Sequence, residues 1–170
     1  MTWSRVSPTS FWASKVRQFR THRRAQVEAS ERAALHAWLT PTQLALFDAM
    51  HVADRRHGLD VVATLRAEGQ LDEELLLAGL LHDAGKGDTG LWPRVAYSLG
   101  QEYGSWIWRV AALLPGFRDA LMRLREHAEA SARLAAAAGC TARTVALIRY
   151  QDAPRDGDAG ERLRLADEAN

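Results

Sequence analysis

His82 and Asp83 stand side by side where an apolar run, residues 75–81, comes to its end. An aspartate there faces the negative end of a helix dipole beside a buried environment, so its charge calls for a cation. Lys86, three residues on, is one source, and a divalent metal shared with His82 is the other. Adjacent helix residues point about 100° apart, so both reach one ion only if it lies beside the helix and other helices bring further ligands. Two such ligands are on hand: His57, in the polar break Asp54-Arg55-Arg56-His57-Gly58, and Asp167, in Leu165-Ala166-Asp167-Glu168. Two imidazoles and two carboxylates suit one divalent ion drawn from Mn, Fe, Mg, Co, Ni or Zn, and not a thiolate-selected ion. Plainer readings stand beside this one: His57 as a capping or partly buried histidine, Asp167 as a solvated helix charge, and His82-Asp83 as a polar helix end.

These residues need elements to position them. Helical spacing recurs almost throughout and nothing alternates as a strand does, so an all-α fold is expected, a single domain of about six to nine helices. Thr40-Pro41-Thr42-Gln43 reads as a helix start, with Thr40 as N-cap, Pro41 in the first position and Gln43 closing a capping box. Apolar periodicity then runs to about Leu65 and stops at Gly69; unbroken, that would span nearly 40 Å, so a bend is expected near His57-Gly58. Asp72 caps the next helix, whose apolar residues 75–81 mark it as central, and Gly85 reads as a left-handed residue closing it. Residues 90–116 carry Trp92, Tyr97, Tyr103, Trp106 and Trp108, are broken by Gly100, Gly104 and Pro115, and read as two short helices. A long helix over 117–138, one capped by Thr141 and running through Tyr150, a polar loop over 154–160 and a last helix over 162–169 complete the chain. The expected division is a basic helical extension, 1–39, and a domain, 40–170, with an aromatic insert at 90–116.

Arg56-His57-Gly58-Leu59-Asp60-Val61, then Leu80-Leu81-His82-Asp83-Ala84-Gly85-Lys86, a histidine-bearing helix and a late Ala166-Asp167 together resemble the HD-domain metal-dependent phosphohydrolase superfamily over residues 40–170. The resemblance implies an all-α HD-type domain in which His57, His82, Asp83 and Asp167 hold one divalent metal. It also implies hydrolysis of a phosphate ester, a nucleotide or nucleotide-like small molecule, with Asp83, Lys86 and His127 as the catalytic residues. A metal with open positions activates a bound water and polarises a phosphoryl oxygen. Lys86 is one of two lysines among 22 basic residues and is a suitable point charge for a substrate phosphate; it equally suits the end of a helix dipole. His127, in Arg125-Glu126-His127-Ala128-Glu129, resembles a family histidine that contacts phosphate or a second metal. Two-metal members carry a further histidine pair downstream, where this chain reads Ile148-Arg149-Tyr150-Gln151-Asp152, so one metal is expected and His127 becomes a phosphate contact or general acid. Arg55, Arg56 and Arg149 are further phosphate contacts on this reading, and His51 and Asp54 support the ligands from outside. Asp88 is a partner for Lys86, a proton acceptor or a plain loop charge.

The formal net charge of +1 conceals a division. Residues 1–24 hold six basic residues and no acid, against 16 basic and 21 acidic residues in the remainder. With Trp3, Phe11, Trp12, Val16 and Phe19 the basic segment reads as an amphipathic helix that either packs on the acidic body or makes peripheral contact with an anionic membrane. Specific nucleic-acid binding is not expected, since basic charge without a recognisable nucleic-acid fold gives only salt-sensitive, non-specific attraction. The single cysteine, Cys140, excludes an internal disulfide and there is no Cys-x-x-Cys pair, which with the lack of a signal-like or membrane-spanning run points to the cytoplasm. Exposed aromatics in the insert would favour a homodimer. Besides the hydrolase, two other classes stay open: a catalytically silent module binding metal with a nucleotide or protein, and a peripheral membrane or assembly protein.

Overall fold

In the computed structural model, which describes residues 26–170, the most apolar segment lies at the centre of the core. The expectations for residues 1–24 lie outside the described residues. Nine helices are described: α1 (Ala29–Leu35), α2 (Pro41–Ala49), α3 (Val52–Ala67), α4 (Glu73–Leu81), α5 (Leu91–Tyr103), α6 (Trp106–Ala111), α7 (Phe117–Ala137), α8 (Ala142–Arg149) and α9 (Gly157–Ala169). No strand occurs among these residues, and the fold is all-α. Every residue of α4 from Leu75 to Leu81 is buried, because a helix without a polar face has no side it can leave in water. Helices α2, α3, α8 and α9 pack around it. Phe47, Val61, Leu65, Ile148 and Leu163 join it in the core.

The caps expected from sequence are present. Thr40 accepts from the Gln43 amide while Gln43 accepts from the Thr40 amide, Asp72 accepts from Glu74 and Leu75, and Thr141 accepts from Thr144. Each turns an unpaired N-terminal amide into a satisfied one. Arg143 then draws three segments together: it pairs with Asp72 at 2.6 Å, Glu74 at 3.0 Å and Asp156 at 2.8 Å. Hydrogen bonds from Arg143 hold Glu74 below its ordinary pKa, with Thr141 contributing most; at Asp72 burial opposes the shift and Arg143 outweighs it. Carboxyl groups lowered in the folded state stabilise it above their unfolded values of 3.8 and 4.5, and that stabilisation is lost as pH falls below them. Arg143→Met is therefore expected to cost on the order of 0.5–1 kcal/mol at pH 7 in urea unfolding, a difference that closes as the pH is lowered through 4.

Three expectations change. The break in the 41–67 stretch falls at Met50, whose extended backbone (ψ 152°) separates α2 from α3, and not at His57-Gly58. Its cause is His51, which caps α3 by accepting from the Ala53 amide at 3.2 Å. Gly58 lies in unbroken helix, and its role is proximity: a Cβ there would sit 2.5 Å from the carbonyl oxygen of Leu80, so α3 and α4 touch backbone to backbone just before His82. Gly85 is likewise not among the left-handed glycines. A Cβ on Gly85 would meet the Ser131 nitrogen at 2.5 Å and the His127 oxygen at 2.7 Å, so this glycine lets the turn after α4 lie on α7, where its amide donates to Ser131 Oγ at 2.8 Å. Gly85→Ala is expected to lower the unfolding free energy by about 1–3 kcal/mol, as overpacking against backbone does; an unchanged denaturation midpoint would refute the close approach. The last helix begins at Gly157, five residues before the expected start, which shortens the polar loop. Before residue 40, Leu35 and Leu39 belong to the same core and Arg32 pairs with Asp48 of α2.

The insert folds as the expected two helices, although α5 runs through Gly100 without a break. Trp108 donates to the Tyr97 carbonyl at 3.0 Å and stacks on its ring at 5.4 Å, which closes α5 and α6 into a hairpin. Trp108 is thereby half-buried, while Trp92 and Trp106 remain exposed. No helix among the described residues is long and apolar enough to cross a membrane.

Candidate metal centre

The end of α4 is fixed before any ligand is considered. His82 continues the helical backbone as its C-cap and its Nδ1 donates to the Gly79 carbonyl at 2.9 Å, a bond that sets the tautomer and aims Nε2 away from the helix. His57 arrives from α3, held close by the contact at Gly58. Asp167 arrives from α9, whose preceding residue Ala166 is fully buried and whose end is tied to α3 by Asn170 donating to Thr64 Oγ1 at 2.9 Å. Asp167 Oδ1 lies 2.7 Å from His57 Nε2 and 3.3 Å from His82 Nε2. One ligand atom from each of His57, His82 and Asp167 falls within 4.8 Å of the others. Such spacing admits an ion at roughly 2.0–2.2 Å from each.

Asp83 stands at the edge of this group. Its Oδ1 is 3.5 Å from His82 Nε2 and its Oδ2 receives Lys86 Nζ at 2.5 Å. Of the four expected ligands, His57, His82 and Asp167 converge, and Asp83 Oδ1 stands next to them beside His82 Nε2. His82 Nε2 and Asp83 Oδ1 are buried and have no hydrogen-bond partner. An orphaned pair of this kind is costly, and a cation between them would satisfy both. Burial opposes charge on His82, yet Asp83 and Asp167 outweigh it and hold its pKa at about 9. Burial likewise opposes charge on Asp83, while His82 and Lys86 keep its carboxyl well below the usual range. Lys86 retains its proton because Asp83 overcomes the cost of burial. Two carboxylates against one lysine leave an unbalanced negative charge that a proton or a metal can neutralise. The Asp167 side chain keeps 40% of its exposure, so the group opens to solvent on that side.

The remaining expected site residues divide. His127 is close, with Nε2 3.7 Å from Asp83 Oδ1. Its Nδ1, however, donates to the Leu124 carbonyl at 2.7 Å and its Nε2 is hydrogen-bonded to the Gln151 side-chain amide at 2.7 Å, while burial lowers its pKa. Both ring nitrogens are thus engaged within the protein, which stands against the phosphate contact or general-acid part expected of His127. Arg56 is committed to Glu31 at 2.7 Å and Asp60 at 2.9 Å, and Arg149 to Glu129 at 2.7 Å, so neither guanidinium is available to a phosphate in this arrangement. Arg55 has a buried Nε that lacks a hydrogen-bond partner. Asp88 lies exposed in the loop. His51 acts as a helix cap, as described above.

Sequence reasoning missed Arg94. It clamps Asp54 with two bonds, 2.5 and 2.8 Å, and also donates to Thr89 Oγ1 at 3.0 Å and the Gly87 carbonyl at 3.1 Å. Through Arg94, Asp54 fastens α5 and the loop after Lys86 to α3 one turn from His57. Nothing in Leu91-Trp92-Pro93-Arg94 announces a partner 40 residues upstream. No family model, curated protein or solved structure matches the chain.

Proposed function

We propose that the protein is a metal-dependent phosphohydrolase of the HD type, acting on a phosphate ester of a nucleotide or another small molecule. The observation that carries this reading is the convergence of His57, His82 and Asp167 beside two orphaned buried atoms, His82 Nε2 and Asp83 Oδ1. His57, His82 and Asp167 would hold one divalent ion, with Asp83 beside them. Such an ion supplies Lewis acidity and an activated water. The chain's own contribution is to fix the His82 tautomer through Gly79, to keep the ligands in place through Gly58 and Asn170, and to offer the Lys86 ammonium as a positive charge for phosphate. Lys86 reaches a phosphate only by loosening its bond to Asp83, which a cation attracting Asp83 would favour.

A second reading, a silent module that binds metal with a nucleotide or protein, draws on a specific observation. His127 is engaged by Gln151, and Arg56, Arg149 and Lys86 are each held by a carboxylate, so none of the residues expected to bind phosphate is free in this arrangement. One experiment separates the two. Elemental analysis of purified protein after loading with Mn, Mg, Ni, Co or Zn is expected to give one ion per chain, and a nucleotide and phosphoester panel is expected to release phosphate with wild type and not with Asp83→Ala. Failure to take up any ion overturns both readings; an ion without turnover on any ester leaves the silent module.

A further inference from the structure

Three of the four buried side-chain polar atoms that lack a hydrogen-bond partner among the described residues belong to His82, Asp83 and Gln151, so they gather in one place. Asp83 Oδ1 stands 3.5 Å from His82 Nε2 and 3.7 Å from His127 Nε2, and that second nitrogen is hydrogen-bonded to Gln151 Nε2 at 2.7 Å. The other end of the same amide, Gln151 Oε1, is the third orphan. Gln151 follows Leu147 by four residues and Ile148 by three, so it extends the buried face of α8 inward. An ion held by His57, His82 and Asp167 answers the imidazole nitrogen and attracts the carboxylate oxygen beside it. Gln151 Oε1 stays unanswered, because His127, to which its amide is bonded, is outside that converging group. Gln151 is 6% exposed, and a buried carbonyl oxygen without a donor costs about 1–3 kcal/mol.

The surroundings of this amide are polar. Besides burial, the charges of Asp83, Lys86 and Asp152 act on His127. Burial and then Asp152 push the Tyr97 hydroxyl pKa up, with Arg125 and Lys86 opposing, so the phenol keeps its proton. Lys86 from the turn after α4, Tyr97 from α5, His127 from α7 and Asp152 from the end of α8 therefore lie within electrostatic reach of one another beside Asp83. Trp108, stacked on the Tyr97 ring at 5.4 Å, fixes the phenol in place. An ammonium, a phenol, a carboxylate and a free carbonyl oxygen suit a ligand that carries polar hydrogens, whereas an alkyl chain would leave Gln151 Oε1 unpaired. Along the chain of contacts through His127, Oε1 is at most about 9 Å from Asp83 Oδ1. A phosphate ester at the centre covers that distance with the first two carbons of its alcohol.

Resting on the hydrolase reading above, we propose that Gln151 selects the substrate: its Oε1 accepts a hydrogen bond from a hydroxyl that the alcohol of the phosphate ester carries within a carbon or two of the ester oxygen. The test is phosphate release from glycerol 3-phosphate and from n-propyl phosphate by the full chain loaded with a divalent ion. Both esters have a three-carbon alcohol, and they differ in its hydroxyls. Wild type is expected to favour glycerol 3-phosphate at least about tenfold in kcat/KM, because the apolar ester leaves a buried acceptor unpaired. Gln151→Met, apolar and of similar length, is expected to bring that ratio to within about twofold of one while still binding one ion and unfolding cooperatively. A wild-type ratio near one overturns the proposal without recourse to any variant. An equal loss on both esters in folded, ion-loaded Gln151→Met overturns it too, since the amide would then serve only to hold His127. Two ions per chain in wild type and one in Gln151→Met would overturn it by assigning Oε1 to a second cation. Turnover of neither ester by ion-loaded wild type overturns the selection by Gln151, while the wider ester panel decides the hydrolase reading separately; failure to take up any ion overturns both.

Discussion

Asp167→Ala is expected to weaken divalent-ion binding by more than about 100-fold in titration calorimetry, beyond the loss that accompanies removal of a mere supporting partner. Asp167 supplies the only carboxylate oxygen in the group of three, 2.7 Å from His57 Nε2 and 3.3 Å from His82 Nε2. Two neutral imidazoles without it form an incomplete and less basic set. The fold should tolerate the change, because the Asp167 side chain is 40% exposed and its neighbours Leu163 and Ala166 hold α9 in the core. A second readout is available without any ion: the His82 pKa, held at about 9 partly by Asp167, is expected to fall when followed by NMR titration. Wild-type ion affinity in Asp167→Ala would exclude this group as the metal centre, whatever the reaction.

Arg94→Leu is expected to cost about 3–5 kcal/mol in urea unfolding, the scale for breaking a buried ion pair from one side. The loss is large because the Asp54 side chain is 5% exposed and would be left as an unpaired buried carboxylate, while Thr89 and the Gly87 carbonyl would lose a donor as well. Replacing both partners, Asp54→Leu with Arg94→Leu, is expected to recover most of the stability, since the double variant buries no lone charge. A cost below about 1 kcal/mol for Arg94→Leu would mean that water reaches Asp54 and that the clamp is a surface pair. A cost with no recovery in the double variant would assign the effect to the loop contacts instead. Either result bears on the centre, because this clamp joins the insert and the loop behind Lys86 to the helix that carries His57.

How much of this was legible beforehand follows from the range of each signal. Caps at Thr40, Asp72 and Thr141 depend on a side chain and an amide two or three residues away, so the residue types alone determine them. The central place of α4 follows equally from its composition, since a helix apolar all round must be enclosed. His82-Asp83 at its end, and the need for a cation there, were likewise fixed by the local sequence, and so was an all-α fold. The register in which helices meet was not. Gly58 and Gly85 read as a bend and a left-handed stop because a glycine has no side chain to declare its neighbour; only packing reveals the Leu80 carbonyl and the Ser131 nitrogen beside them. Arg56 and Arg149 looked available to phosphate because a charge in sequence carries no sign of the carboxylate that holds it. His127 is engaged by Gln151, 24 residues away, and Asp54 by Arg94, 40 away. His57 and Asp167 stand 110 residues apart, and their meeting depends on α3 and α9 both lying against α4. The sequence by itself determined which residues had the chemistry to bind an ion; the tertiary structure decided which of them converge and which are occupied elsewhere, because a ligand set is a matter of distances that no local propensity encodes.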